Sequence, residues 1–258
     1  MDQNEPSPSI VSAHASLLGS LPLSDVQDFT DVSRGFLGTL DDTAIRNAAG
    51  DVVWDASTFA FLAGDAPTSV NPSLWRQSQL VAKHGLFEVV EGVYQVRGFD
   101  LSVVSFIEGD TGVIIIDPLL TAETGAAALA LYRAHRGERP VVAVIHTHSH
   151  IDHFGGVLGV VSQAQVESGE VQIVAPDGFL EHAISENVYA GTAMSRRSGY
   201  MYGAALARGP KGQVGAGLGQ STSTGEPGIL VPTILVTETG ETHVFDGVEF
   251  EFQMAPNT

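Results

Sequence analysis

Four of the nine histidines in this chain fall within eight residues, His146-Thr147-His148-Ser149-His150-Ile151-Asp152-His153, and Phe154-Gly155-Gly156 follows. Imidazole nitrogens and a carboxylate are the usual ligands of zinc and similar ions. In an extended backbone His148 and His150 are two residues apart, project to one side and can share one ion. Asp152 and His153 are adjacent and point elsewhere, so they can begin a second site a few ångströms away. The pattern His-x-His-x-Asp-His therefore suits two metals rather than one. The competing reading is a solvated histidine-rich loop, which makes the spacing, the carboxylate and the preceding segment all accidental.

The elements around the motif are what would position it. Residues 140–145, Pro-Val-Val-Ala-Val-Ile, form a short apolar run bounded by polar residues, as expected of a buried parallel strand. Ligands just past the carboxyl end of such a strand sit where α/β sheets place their sites. Gly155-Gly156 lets the chain pass close to the site before a short helix. Upstream, residues 92–97, 103–107 and 112–116 read as an antiparallel meander with turn residues between them. Asp117-Pro118 ends the third strand. Residues 121–135 read as a helix closed near Gly137, 171–175 as the next strand, and 179–201 as mostly helical. Residues 229–236, 243–245 and 248–254 read as strands, the last two joined around Asp246-Gly247.

Earlier still, residues 1–27 are polar and irregular and are expected to form a flexible arm. Residues 28–40 form a weakly amphipathic stretch, and 44–47 with 51–54 a small hairpin. Asn71-Pro72 opens a helix that Gly85 closes. On it, Trp75 reads as a core anchor and Arg76 as a surface charge. Residues 208–228 are rich in glycine, serine and threonine without a Walker-type ending, which points to a loop over the site rather than a phosphate cradle. His182 and His243 stand apart from the motif and read as structural.

Composition bounds the function classes. With 43% hydrophobic and 16% charged residues the chain is globular. A formal charge of −18 disfavours nucleic acid as a partner, and repels an anionic substrate at long range. Metal ions and local arginines must then supply the attraction. The absence of cysteine removes disulfides and thiolate chemistry. No apolar run reaches the roughly 20 residues of a membrane span. The first residues lack the pattern of a secretory signal. A cytoplasmic location is the default, with a secreted or periplasmic one open.

His148-Ser149-His150-Ile151-Asp152-His153 resembles the signature of the metallo-β-lactamase superfamily, and its surroundings resemble one branch, the linear primary-alkylsulfatase family. The blocks that carry the branch include Asn71-Pro72-Ser73-Leu74-Trp75-Arg76-Gln77, Gly98-Phe99-Asp100-Leu101-Ser102, Ser185-Glu186-Asn187-Val188, Ala193-Met194-Ser195-Arg196-Arg197, Arg208-Gly209-Pro210 and Thr239-Gly240-Glu241-Thr242-His243. The likeness runs from about Asp28 onward. It implies an α+β fold, a metallo-β-lactamase-like αββα sandwich at 86–258 that is incomplete at its carboxy-terminal end, with an amino-terminal arm and helical/hairpin extension at 1–85.

It also implies two zinc ions on His148, His150, Asp152 and His153. Asp152 holds an ion and orients the water that hydrolyses a primary alkyl sulfate to alcohol and sulfate. Asp117 is placed near the metals as a second-shell residue; as a plain turn former it is equally well explained. Arg196 and Arg197 are candidates for the sulfate, against the commoner reading of a solvated helix face. In this family two later glutamates and a further histidine finish the site, the first of them due where residues 252–258 end the sequence. Glu238, Glu241 and His243 are available as substitutes, but nothing in the sequence argues that they serve. The full-length family implies a homodimer. Two alternatives stay open: a catalytically incomplete fragment that binds metal weakly or works only with another chain, and another hydrolase of the superfamily.

Overall fold

The structure is a computed structural model that describes residues 5–255; the first four residues of the expected arm and Pro256-Asn257-Thr258 lie outside the described residues. Within the arm, Ser7 accepts a hydrogen bond from the Ile10 amide and Pro8 occupies the first turn, so residues expected to be irregular form α1 (Pro8–Leu18). Proline's fixed φ and a serine cap outweigh the polar composition there. Next come α2 (Gln27–Asp31), β1 (Phe36–Gly38) and the hairpin of β2 (Ala44–Arg46) with β3 (Val52–Asp55). A 3-10 helix (Ala56–Ala63) and α3 (Pro72–Val81) follow, the latter capped by the Asn71 side chain on the Ser73 and Leu74 amides. Trp75 is buried, and Arg76 pairs with Asp28 at 2.8 Å.

Helix α3 stops at Ala82 and not at Gly85. Gly85 instead starts β4 at φ +127°, where a Cβ would lie 2.4 Å from the Gly38 carbonyl oxygen. Glycine is therefore what allows β1 to cross onto β4.

Eight strands form one sheet in the order β1-β4-β5-β6-β7-β8-β9-β10. These are β4 (Gly85–Val90), β5 (Val93–Arg97), β6 (Val104–Glu108), β7 (Val113–Ile116), β8 (Val141–Ile145), β9 (Gln172–Pro176) and β10 (Ile234–Val236). Pairing is antiparallel from β1 to β7 and parallel from β7 to β10. The change of sense comes with the first long crossover, α4 (Ala122–Arg136). The last strand is shorter than its sequence suggests because Pro232 removes an amide donor inside the run.

Helix α4 buries Ala128, Leu129, Leu131 and Tyr132, and the Tyr132 ring stacks on Phe106 at 4.6 Å with 7° between planes. Beside it lie the single turns α5 (Ile151–Phe154) and α6 (Val157–Val160), then α7 (Gln163–Glu167). Beyond β9 come α8 (Phe179–Ile184), a π-helical turn (Ser185–Tyr189) and α9 (Gly191–Tyr202). The opposite face of the sheet, with Ile114, Ala143, Ile145, Val174 and Val236, receives Phe245 from the hairpin of β11 (Glu241–Phe245) and β12 (Val248–Phe252). Its turn residue Asp246 accepts hydrogen bonds from the Thr111 and Gly112 amides and pins the hairpin to the β6–β7 turn. Among the described residues, then, one face of a mixed α+β sheet carries helices and the other this two-stranded sheet, which is the described part of the expected second sheet. No helix among the described residues is long and apolar enough to cross a membrane.

Candidate metal centre

Strand β8 lies near the middle of the sheet and is buried along most of its length, so its carboxyl end is held firmly. Just beyond it, the His146 amide bonds to the Val174 carbonyl at 2.8 Å and the Asp117 amide to the Ile145 carbonyl at 3.0 Å. The ends of the parallel neighbours β7 and β8 are thus brought side by side. This adjacency carries Asp117, 30 residues upstream of Thr147, into the motif.

The hydrogen bonds fix which ring nitrogens are available. Asp117 accepts from the Thr147 amide at 2.9 Å, from Thr147 Oγ1 at 2.7 Å and from His153 Nδ1 at 2.9 Å. A carboxylate only accepts, so Thr147 spends its single proton on Asp117. Its oxygen must then accept from His148 Nδ1, 2.9 Å away. His148 and His153 are both protonated on Nδ1 in this network, and both present an Nε2 lone pair. Carboxylate-held histidines of this kind are typical of metal sites.

Asp117, His148 and His153 each place one ligand atom within 4.8 Å of the others. The His148 ring is 4.2 Å from that of His153 and 4.8 Å from that of His150. His153 Nε2 is 3.4 Å from Asp152 Oδ2. His150 is 60% exposed and turns toward Glu186, with Nε2 3.8 Å from Oε1. The extended geometry expected of the motif gives way to a helical turn at Ile151, and this sets His148 against His153. Two imidazoles and the Asp117 carboxylate brought together, with Asp152 beside His153 and His150 beside His148, are a donor set that fits divalent cations.

Electrostatics divide the histidines. Burial, with repulsion from His153 and His150, lowers the His148 pKa and favours the neutral form a ligand needs. Burial also pulls on His153, but the hydrogen bond and charge of Asp117 outweigh it and the net shift is upward. His146 is 1% exposed, stacks on Phe179 at 5.2 Å, and is pushed down to about 4 by burial. Neither of its ring nitrogens has a hydrogen-bond partner among the described residues.

Arg196 and Arg197 sit exposed on α9 and make no ion pair among the described residues. Tyr202, on the same helix, has its pKa raised by burial first and then by the charge of Asp152. His182 is exposed on α8, and His243 bonds to Glu241 at 3.0 Å on β11. The glycine-rich segment, expected as a loop over the site, is partly buried. Gln220, Ser221 and Ser223 are buried; Ser221 accepts from Gln213 Nε2, and Ser223 donates its amide and hydroxyl to the Asp100 carboxylate. Sequence reasoning gave no role to Ser102, whose hydroxyl bonds to the Asp152 carbonyl, or to Glu186 and Tyr202. Glu186 falls in the 185–188 block that carries the resemblance, and the helical stretch read at 179–201 ends one residue before Tyr202.

Residues 97–257 match the family model described as the Metallo-beta-lactamase superfamily. A linear primary-alkylsulfatase of Pseudomonas sp is 53% identical over 249 residues, which is 96% of this chain and 37% of that protein. The alkyl/aryl-sulfatase BDS1 of Saccharomyces cerevisiae is 48% identical over 97% of this chain and 39% of its own length. The solved structure of the stereoselective inverting sec-alkylsulfatase Pisa1 from Pseudomonas sp. superposes with a TM-score of 0.93 at 46% identity, covering 98% of this chain and 40% of that one. The chain thus spans about two fifths of the length of these relatives.

Proposed function

The chain belongs to the metallo-β-lactamase superfamily, a metal-dependent family, and from that premise we propose that it serves the hydrolysis of primary alkyl sulfate esters. The observation that carries the proposal is the convergence of His148, His153 and Asp117 at the end of β8, in a chain 53% identical to a linear primary-alkylsulfatase. His148, His150, Asp152 and His153 are the proposed zinc donors, with the His148 and His153 ring centroids 4.2 Å apart and His150 turned toward Glu186. Zinc held there supplies Lewis acidity toward water and the ester oxygens. Asp117 holds His153 in the tautomer that offers Nε2. Asp152 orients the attacking water. Arg196 and Arg197, on the helix that carries Tyr202, are the cations available to a sulfate head group. The homodimer in this proposal is one expected of the full-length family.

The test is sulfate release from dodecyl sulfate by the zinc-loaded chain, with Asp152→Ala alongside. Release that the substitution abolishes is expected; a zinc-loaded chain that leaves dodecyl sulfate intact overturns the reading. The 37% share of the relative's length favours one second reading, a metal-binding unit that is active only with another chain. Zinc uptake without sulfate release is the result that selects it.

A further inference from the structure

Helix α5, which carries Asp152 and His153, is a single turn of four residues. So short a helix does not hold itself in water. Its internal bonds, His153 amide to His150 carbonyl and Gly155 amide to Ile151 carbonyl, leave later carbonyls to be satisfied from outside. Two outside donors do this. Ser102 Oγ donates to the Asp152 carbonyl, and the Gly228 amide donates to the Gly155 carbonyl at 2.7 Å.

Both donors trace back to one buried group. Asp100 is 2% exposed, two residues before Ser102. Its Oδ1 accepts from the Leu101 amide at 2.9 Å and the Ser223 amide at 3.0 Å. Its Oδ2 accepts from Thr124 Oγ1 at 2.9 Å and Ser223 Oγ at 2.5 Å. Thr121 Oγ1 lies 3.0 Å from both of those hydroxyls. One carboxylate thereby joins the 98–103 loop, the first turn of α4 and the 221–228 strap. Burial pushes its pKa up on balance, opposed by the four donors that converge on its two oxygens.

We infer that Asp100 is a positioning residue for the metal motif: through Ser102 on one side and the Ser223–Gly228 strap on the other, it fixes α5 and so aims Asp152 and His153. The inference rests on reading 148–153 as the metal motif. Asp100 touches none of the proposed ligands and acts only through these hydrogen bonds.

The experiment measures zinc affinity by chelator competition, and amide hydrogen exchange across residues 148–155 in the metal-free chain. Wild type is compared with Ser102→Ala, Asp100→Ala, the Ser102→Ala/Asp100→Ala double variant and Asp100→Asn. Glu108→Gln, at the opposite end of the sheet, controls for general destabilisation. Loss of an outer hydrogen bond behind a ligand is expected to cost about ten-fold or more in affinity. Ser102→Ala and Asp100→Ala should each show that loss with faster exchange at 152–155, and the double variant should fall less than the product of the two. Asp100→Asn should restore most of the affinity, since its amide can donate to the two hydroxyls, which can rotate to accept. Glu108→Gln should leave both readouts unchanged. Ser102→Ala with wild-type affinity and wild-type exchange overturns the inference, as does a Glu108→Gln effect of equal size. If wild type takes up no zinc, the metal reading fails, and the exchange data alone decide whether Asp100 orders α5.

Discussion

Replacing Asp117 with asparagine isolates what the carboxylate behind His153 contributes. Asp117 sits at φ +53°, a left-handed conformation that asparagine tolerates and alanine does not. The backbone should therefore persist. Asparagine keeps an oxygen for the Thr147 amide but turns an N–H toward His153 Nδ1, at a contact that is now 2.9 Å. The ring must then move its proton to Nε2, the atom that faces Asp152 and the proposed ion. A hydrogen bond to a charged group contributes about 1.5–3 kcal/mol. Outer partners of metal-bound histidines change affinity about 10–100-fold, equivalent to about 1.4–2.8 kcal/mol at 1.4 kcal/mol per decade. The two scales agree, and a loss in that range is expected in a chelator competition at pH 7. In the metal-free protein the His153 pKa, raised in wild type because Asp117 and the charge of Asp152 outweigh burial, should fall once only Asp152 opposes burial. Imidazole NMR reads that shift. Zinc affinity within two-fold of wild type, with an unmoved His153 titration, refutes the reasoning.

Glu108 is held below the ordinary carboxylate value of 4.5, first by its hydrogen bond from Arg136 and further by Tyr132, against the cost of burial. A depressed folded pKa stabilises the protein above the unfolded value and loses that contribution as pH falls through the folded one. Glu108→Gln should therefore destabilise at pH 7 and converge with wild type in acid, as denaturant titrations at several pH values would show. Gly159→Ala should destabilise even though alanine is the better helix former by about 1 kcal/mol, because its Cβ would lie 1.9 Å from the Ala122 carbonyl oxygen. Overpacking at such a contact costs about 1–3 kcal/mol and should lower the denaturation midpoint. Ile115→Ala, in the middle of the sheet and fully buried, should cost about 2–5 kcal/mol by the same measurement.

The parts of the fold governed by short-range rules were legible from the residues. Strands 93–97, 104–108 and 113–116, helix 122–136 with its Gly137 terminator, and the Asp246-Gly247 hairpin all follow from periodicity and turn chemistry. Gly85 was misread as a helix stop because a positive-φ glycine looks the same whether it ends a helix or lets a distant strand approach. The donors of the metal motif were legible because they are contiguous. How they group was not, since a one-turn helix at Ile151 reorients His153 and depends on bonds from Ser102 and Gly228, which are remote in sequence. The buried strap at 220–223 was hidden for a similar reason. Serines and threonines look solvent-facing until a buried carboxylate such as Asp100 is there to receive them.

From β4 to β10 every strand lies beside its predecessor in the chain, and β1 alone joins out of turn. Such a sheet can grow one strand at a time as the polypeptide lengthens, each addition closing a loop no longer than one crossover. The histidine motif falls between β8 and β9, at a moving front of this growth. The carboxyl ends of β7 and β8, with Asp117 and Thr147 already in register, exist before β9 is needed. By contrast, the bonds that steady α5 from Gly228 arrive more than seventy residues later. The donors are thus gathered early in folding and given their final direction late. Zinc supplied during refolding should therefore act on the later phases and leave the first association of the meander strands unchanged.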